Sequence, residues 1–150
     1  MKSKFIFTLC LLWILSGCTH MPPSIHISSS RILKNDIHTI KNAIINESYS
    51  RYDDIDDVPH CVDYGSFKDC YFLTRYIKQF NQTEPKDRIF IMLSYKKYDS
   101  PSNYYRNLAI NISENKSDDP KLNAEFDRVS ELIFKEVTKV SDGKVERRQD

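Results

Sequence analysis

The chain has 150 residues, with 22 Lys and Arg against 21 Asp and Glu, which is the length of one domain. The net charge of +1 leaves no basic excess to neutralise phosphates, so we expect no nucleic-acid binding. Charged residues, at 29%, are too frequent for a multispan membrane protein, and 12% aromatic residues argue against a disordered chain.

The first 17 residues have the parts of a secretory signal peptide. The basic start Lys2 to Lys4 precedes an eleven-residue apolar run, Phe5 to Leu15, which only Thr8 interrupts. As a helix this run would span about 16 Å, well short of a hydrocarbon core of about 30 Å. Small residues at positions 16 and 17 then close the segment. The pattern predicts a signal peptide that is removed rather than a transmembrane helix.

The sequence Leu15-Ser16-Gly17-Cys18 resembles the lipobox of bacterial lipoproteins. The resemblance implies that the Cys18 thiol receives a diacylglyceryl group. The signal is then cut before Cys18, and the new amino terminus is acylated with a chain such as palmitate. An ordinary secretory signal followed by a chance cysteine is the alternative. The resemblance covers residues 1–18 only and implies nothing about the fold of the rest.

The resemblance also implies a location. Three acyl chains exceed the two signals that stable membrane anchoring needs. In Gram-negative lipoproteins an Asp after the modified Cys usually retains the protein at the inner membrane. Thr19 therefore implies a lipid-anchored protein of the outer membrane that faces the periplasm. In a Gram-positive source the anchor would lie in the cell membrane.

The mature chain divides into three parts by composition. Residues 18–30, with Pro22-Pro23 and a run of three serines, indicate a lipidated amino terminus and a short tether. Residues 31–142 carry the periodic apolar patterns of a single globular domain. Residues 143–150 form a charged tail. We expect the tether to hold the domain close to its membrane.

The first half of the domain predicts two helices. Ser30 is a plausible N-cap, and apolar residues at 33, 37, 40 and 44 form one helical stripe, with Lys41 facing water. Residues 49–63 are polar and acidic and predict a loop with a short strand at its start. Ser66 and Asp69 resemble a capping box that would begin a second helix ending near Phe80. A strand is the alternative for this segment.

The second half predicts two strands and a helix. Residues 88–98 contain the apolar run Ile89 to Leu93 and predict a buried strand. Residues 104–113 alternate apolar and polar positions, so a turn at 99–103 would complete a β-hairpin. Asp119-Pro120 predicts the start of the last helix, and Asp142-Gly143 its end.

The order of these elements predicts the fold class. A lone two-stranded hairpin is marginally stable in water. We therefore expect a third strand from 48–53, from 144–148 or from a second protomer; the oligomeric state is left open. The predicted architecture is α+β, a small antiparallel sheet with a central β-hairpin packed against two or three helices as a two-layer sandwich.

Cys61 and Cys70 are the cysteines that remain besides Cys18 after removal of the signal. In an exported chain, two cysteines nine positions apart predict a disulfide, because the compartment is oxidising. The alternative is a redox or metal pair. A redox pair is usually Cys-x-x-Cys, and a zinc site would need two ligands beyond the pair, for which His60 is the one neighbour.

Two polar surfaces are candidates for binding a partner. Asp53, Asp54, Asp56 and Asp57 indicate a solvated acidic loop, with a docking patch for a basic partner as the sharper hypothesis. A calcium loop is disfavoured, since the glycine at its sixth position and its distal Glu are missing. Tyr104-Tyr105 lies beside the predicted turn, where exposed tyrosines would furnish a recognition surface.

The sequence contains no catalytic motif. It has no glycine-rich phosphate-binding loop, since it contains only three glycines. We therefore expect no catalytic residues, no metal and no cofactor. The predicted function is binding, as an accessory or assembly subunit that docks a periplasmic or outer-membrane protein. One alternative is an envelope-tethered enzyme or metal-dependent protein that uses His60, Cys61 and the acidic loop. The other is a periplasmic ligand sensor or inhibitor.

Overall fold

The computed structural model describes residues 22–52, 59–65, 68–80, 87–97, 104–115 and 119–150. Within these ranges the chain forms seven strands and two helices, so the predicted α+β class is confirmed. In chain order they are β1 (Ser24–Leu33), α1 (Lys34–Asn46), β2 (Ser50–Arg51), β3 (Pro59–Asp63), β4 (Lys68–Gln79), β5 (Arg88–Lys97), β6 (Tyr104–Glu114), α2 (Pro120–Val140) and β7 (Val145–Gln149).

The strands form one antiparallel sheet in the order β2, β4, β5, β6, β1, β7. β3 also pairs with β4, so the short strands β2 and β3 share the edge of β4 that β5 leaves open. β1, the first strand, is enclosed between β6 and β7. The central strands are therefore paired along both edges, which satisfies their backbone polar groups.

The hydrophobic core lies between one face of the sheet and the two helices. One row of side chains across four strands is buried on this face: Ile27, Ile110, Leu93 and Thr74. Both helices contact β1, and α2 also contacts β5, β6 and β7. Burial of each large aliphatic side chain stabilises the fold by about 1.5–3 kcal/mol. The helical side chains buried here are Ile37, Ile40, Ile44, Leu122, Phe126, Val129, Ile133 and Val137.

The predicted tether is wrong from residue 24 onward, because Ser24–Leu33 is the strand β1. Ile25 and Ile27 are fully buried and alternate with the half-buried His26 and Ser28, which is the period of a strand. The expected tail also contributes a strand, since β7 pairs with β1. Strands were predicted from 48–53 or 144–148, and both regions supply one.

α1 has the predicted apolar stripe. It begins at a later residue than predicted, however, and one side chain expected to be exposed is buried. Ser30 lies within β1 and not at an N-cap; the helix begins at Lys34 with Leu33 as N-cap and no side-chain cap. Lys41, expected to face water, is only 3% exposed. Its Nζ lies 5.6 Å from the centre of the Tyr95 ring, a cation–π contact that offsets part of the burial cost.

The predicted second helix is wrong, and the strand alternative is correct, since Lys68–Gln79 is β4. Asp69 pairs with Val62 of β3, in the region predicted as loop, so the capping box is absent; Ser66 lies outside the described residues. Leu73 and Ile77 are partly buried on the face opposite to that of buried Tyr76. Apolar residues on both faces of a strand conceal its alternation and imitate a helical pattern.

The later elements follow the prediction closely. β5 begins at Arg88 and β6 at Tyr104, and the two are antiparallel neighbours. The turn predicted at 99–103 lies outside the described residues. α2 begins at Pro120, and the side chain of its N-cap Asp119 accepts a hydrogen bond of 2.9 Å from the Lys121 amide. An N-cap carboxylate satisfies an amide that the first helical turn leaves open.

Candidate functional site

The second face of the sheet, called here the open face, carries side chains that are half-buried or exposed. Met92 on this face is 40% exposed, and Tyr52 beside β2 is 54% exposed. The Tyr52 and Phe90 rings meet edge to face with their centres 6.1 Å apart. By cross-strand pairing the central members of the open face are His26, Ser28, Leu73, Arg75, Ile77, Phe90, Met92, Ser94, Ala109, Asn111 and Ser113.

A groove of about 210 Å³ crosses the open face over β4, β5 and β6. Phe90 and Met92 form its apolar wall, Arg75 lies at one side, and Asn111 and Ser113 lie at the other. Asn111 Oδ1 is buried and has no hydrogen-bond partner among the described residues. A few polar groups placed around an apolar wall are typical of ligand sites. The groove could accept an apolar side chain that carries a hydrogen-bond donor.

Cys61 and Cys70 lie directly opposite one another on β3 and β4. Their Sγ atoms are 2.12 Å apart, which is consistent with the predicted disulfide. The bridge ties β3 to the body of the sheet. The exposed Val62 therefore projects from an anchored strand pair, and the exposed Tyr64 lies just after the end of β3.

His60 does not join Cys61 in a ligand set. Neighbouring residues of a strand point to opposite faces, and the His60 ring stacks on Tyr71 with the ring centres 5.7 Å apart. Across the described ranges, no group of three or more His, Cys, Asp or Glu side chains is arranged to hold a metal.

Tyr104 and Tyr105 are half-buried, not exposed as the sequence suggested. The centre of the Tyr105 ring lies 4.5 Å from the centre of the Tyr95 ring, on the buried side of the sheet. The Tyr104 ring is covered by the Arg31 guanidinium, whose central carbon lies 3.6 Å from the ring centre. Consecutive strand residues face opposite ways, so these two tyrosines do not form one surface.

Three of the open-face cations lie next to one another. Arg31 on β1 pairs with Arg106 on β6, which pairs with Lys96 on β5. The same line continues to Tyr71 and His60. Residues directly opposite in an antiparallel sheet project to the same side. We call Arg31, Arg106 and Lys96 the basic row.

A charged network joins the sheet to the helices at the edge formed by β4. Lys78 and Arg128 both donate to the Glu125 carboxylate, and Arg128 also donates to Glu47. Burial would raise the pKa of Glu125, but hydrogen bonds from Arg128 and Lys78 and their charges lower it below its usual range. Burial, reinforced by the Glu125 charge, raises the pKa of the Tyr49 hydroxyl. The charged groups of Lys78, Glu125, Arg128 and Glu47 are thus partnered with one another, which links the sheet to the helices.

The remaining predicted site residues lie outside the described part of the chain. These are the lipid-attachment residue Cys18 and the acidic residues Asp53, Asp54, Asp56 and Asp57. The groove and the basic row were not predicted from the sequence. The uninterrupted apolar run Ile89 to Leu93 was a signal for the groove, because a strand that is apolar at every position has apolar side chains on both faces. The sequence held no such signal for the basic row, because its members come from three separate strands.

No protein-family model matches the chain, and a comparison with curated proteins found no match. Neither helix within the described residues is long and apolar enough to cross a membrane.

Proposed function

We propose that this chain is a lipid-anchored cell-envelope protein that acts by binding, as an accessory or assembly subunit that docks a periplasmic or outer-membrane protein. The anchor rests on the resemblance of residues 15–18 to a lipobox, with Cys18 as the acylated residue. The outer-membrane location rests on Thr19. Binding rests on the geometry of the open face.

The open face is the observation that carries the proposal. One solvated face of an antiparallel sheet is common, but such a face is usually polar. Here it presents Phe90, the exposed Met92 and a groove beside Arg75, with Tyr52 at its margin. Aromatic residues, Met and Arg are the types enriched at protein interfaces. An apolar patch rimmed by polar groups supports a docking surface.

The start of β1 at Ser24 is close in sequence to the proposed anchor, which supports a short connection between the two. Ser24 is six positions after Cys18, and the extended length of that step is at most about 20 Å. The domain would therefore remain at the membrane surface. The proposal includes a two-layer sandwich with a β5–β6 hairpin, which the antiparallel pairing and the one-sided burial support. In that arrangement the helices leave the open face accessible to a neighbouring envelope protein.

Site-specific photo-crosslinking in intact cells tests the proposal. A photoreactive residue replaces Met92 in the full chain, and in a matched control replaces Lys135, whose side chain on α2 is 67% exposed. We expect one reproducible envelope protein to be crosslinked from position 92 and not from position 135. Crosslinking of no envelope protein from position 92 would contradict the docking function. Stoichiometric metal in the purified protein would favour the metal-dependent alternative.

A further inference from the structure

β7 forms one end of the sheet, and within the described residues it pairs with β1 alone. The Asp150 amide donates a hydrogen bond of 3.0 Å to the Ser24 carbonyl, so the backbone groups of Asp150 face β1. Successive residues of an antiparallel ladder direct their backbone groups to alternate sides. The intervening residues of β7 therefore direct their N–H and C=O groups to the outer edge of the sheet: Val145, Arg147 and Gln149.

The other residues of this segment alternate in charge. Lys144, Glu146, Arg148 and Asp150 are positive, negative, positive and negative in turn. Every second residue of a strand projects to the same face, so the four charges lie in one line. Glu146 contacts Lys144 at 3.0 Å and Arg148 at 3.1 Å, but both cations are largely exposed, and such surface pairs are weak. A second copy of the segment that runs the opposite way presents the complementary charge at each position.

We propose that β7 pairs edge to edge with β7 of a second copy of this chain, antiparallel and with Arg147 at the twofold axis. In this register Glu146 lies opposite Arg148 of the second copy, and Lys144 lies opposite Asp150. Directly opposite residues have Cβ atoms about 4.5–5.5 Å apart, so opposite charges stabilise the pairing. Each copy also donates three backbone hydrogen bonds through its outward amides. This contact lies at the edge of the sheet and is separate from the groove of the open face.

The charges favour this register over its neighbours. An axis at Glu146 would place two glutamates opposite each other and Lys144 opposite Arg148. An axis at Arg148 would place two arginines opposite each other and Glu146 opposite Asp150. Like charges directly opposite one another destabilise a sheet. Charged residues on an edge strand often prevent pairing between copies, but the order of the charges in this segment permits one register.

Arg147 meets its own copy at the axis, and α2 compensates its charge. Its Nη1 atom donates a hydrogen bond of 2.7 Å to the Glu131 carboxylate. Its guanidinium carbon lies 5.8 Å from the centre of the Phe134 ring. These contacts hold the side chain on the helical side of the sheet, opposite to the face that carries the alternating charges. The two arginines at the axis therefore do not oppose the pairing as bare charges.

Exchange of charges between two labelled copies tests this contact. Mature lipidated protein with a donor or an acceptor dye is mixed in an excess of detergent micelles, and energy transfer reports association. We expect E146R and R148E each to weaken self-association about tenfold, because attraction between the copies becomes repulsion. A mixture of E146R with R148E should associate like the wild type, since each charge again meets its opposite. K135E, a charge reversal on α2, is the matched control and should associate normally.

The mixture also separates a lost contact from a lost fold, because unfolded variants would not recover on mixing. Substitutions of exposed residues also rarely unfold a protein. Wild-type copies that do not associate, or E146R copies that associate like the wild type, would overturn the proposal. A mixture of E146R with R148E that associates no better than E146R alone would overturn it as well.

A second pair of variants tests the backbone pairing. R147P removes an outward N–H, and proline is tolerated on an edge strand where the N–H faces away from the sheet. R147A removes the same side chain and keeps the N–H, so it is the matched control. We expect R147P to weaken association about tenfold relative to R147A, because the twofold axis doubles the loss of the hydrogen bond. Equal association of R147P and R147A would contradict strand pairing between the copies.

Discussion

Lys78 on β4 donates a hydrogen bond of 2.9 Å from Nζ to Oε1 of Glu125 on α2. The same Nζ also donates to the Glu47 backbone carbonyl at 2.9 Å, just beyond the end of α1. One ammonium group thus links the sheet to both helices. The Glu125 side chain is 13% exposed, so this ion pair is screened less than a surface pair.

E125Q should destabilise the fold by about 1–2 kcal/mol at pH 7, because it removes the charge that Lys78 and Arg128 bond. The pKa of Glu125 is lowered in the folded state, so its contribution is present above the ordinary Glu value. It is lost as the pH falls through the lowered pKa. In urea unfolding, the free energy of unfolding should therefore fall more steeply with decreasing pH in the wild type than in E125Q, below about pH 4.5.

A control for this prediction is E136Q, which removes the surface pair with Lys139. Its effect should stay within about 0.5 kcal/mol, as for other surface pairs one helical turn apart. Equal losses of unfolding free energy for E125Q and E136Q would mean that burial of the Glu125 ion pair adds nothing to stability.

The contribution of Glu114, at the end of β6, to stability should depend on pH in the opposite direction to that of Glu125. Its side chain is buried, and Oε2 has no hydrogen-bond partner among the described residues. Burial, with a smaller effect of Asp127, raises the pKa of Glu114, so the charged form opposes folding above that pKa. E114Q should therefore be about 1 kcal/mol more stable than the wild type at pH 7. The gain should disappear below about pH 4, where the carboxyl is protonated in both states.

Chemical denaturation of E114Q and of the wild type from about pH 3 to pH 8 measures this difference. E146Q is the matched control, since it changes an exposed carboxylate on β7 that lies between two basic residues. An E114Q variant that is less stable than the wild type at pH 7 would show that the carboxylate has a stabilising partner.

The disulfide should stabilise the fold through the loop that it closes. The cysteines are nine residues apart, which corresponds to roughly 2–3 kcal/mol in the chain-entropy account. The double variant C61S/C70S should lose this amount in urea unfolding. Reduced wild type should behave like the variant, and a reductant should leave the variant unchanged. Identical stability of oxidised and reduced wild type would rule out a structural role for the bridge.

C18S should abolish attachment of acyl chains and leave the precursor uncleaved by the lipoprotein signal peptidase. Metabolic labelling with a fatty acid and fractionation of cells measure both effects. C10S, which changes a cysteine inside the predicted signal, is the matched control and should be labelled normally. Labelling of C18S at the wild-type level would contradict the lipid anchor.

Local patterns were sufficient for some elements. The stripe at Ile37, Ile40 and Ile44, the apolar run of β5 and the Asp119-Pro120 start of α2 were all predicted correctly. Each depends on residues close together in the chain, whose periodicity or capping is independent of distant partners. The Cys61–Cys70 pairing followed from the small number of cysteines.

The segments predicted wrongly depend on distant partners. Residues 24–30 resembled a tether because their serines suggest a loop, but they belong to Ser24–Leu33, which β6 and β7 enclose as a strand. Lys68–Gln79 resembled a helix because apolar residues occupy both of its faces. Pairing with β5 on one edge and with β2 and β3 on the other makes it a strand. Local propensity cannot anticipate such partners.

The sequence by itself determined the α+β class, the cysteine pair and the lipobox resemblance, because each depends on residue type and short-range spacing. Only the tertiary structure decided which side chains share the open face. Arg31, Lys96 and Arg106 are 65 and 10 residues apart in the chain, yet lie in one line across three strands. The register of the sheet, which shifts between Ser94 and Lys96, brings them together, and register is a property of paired strands.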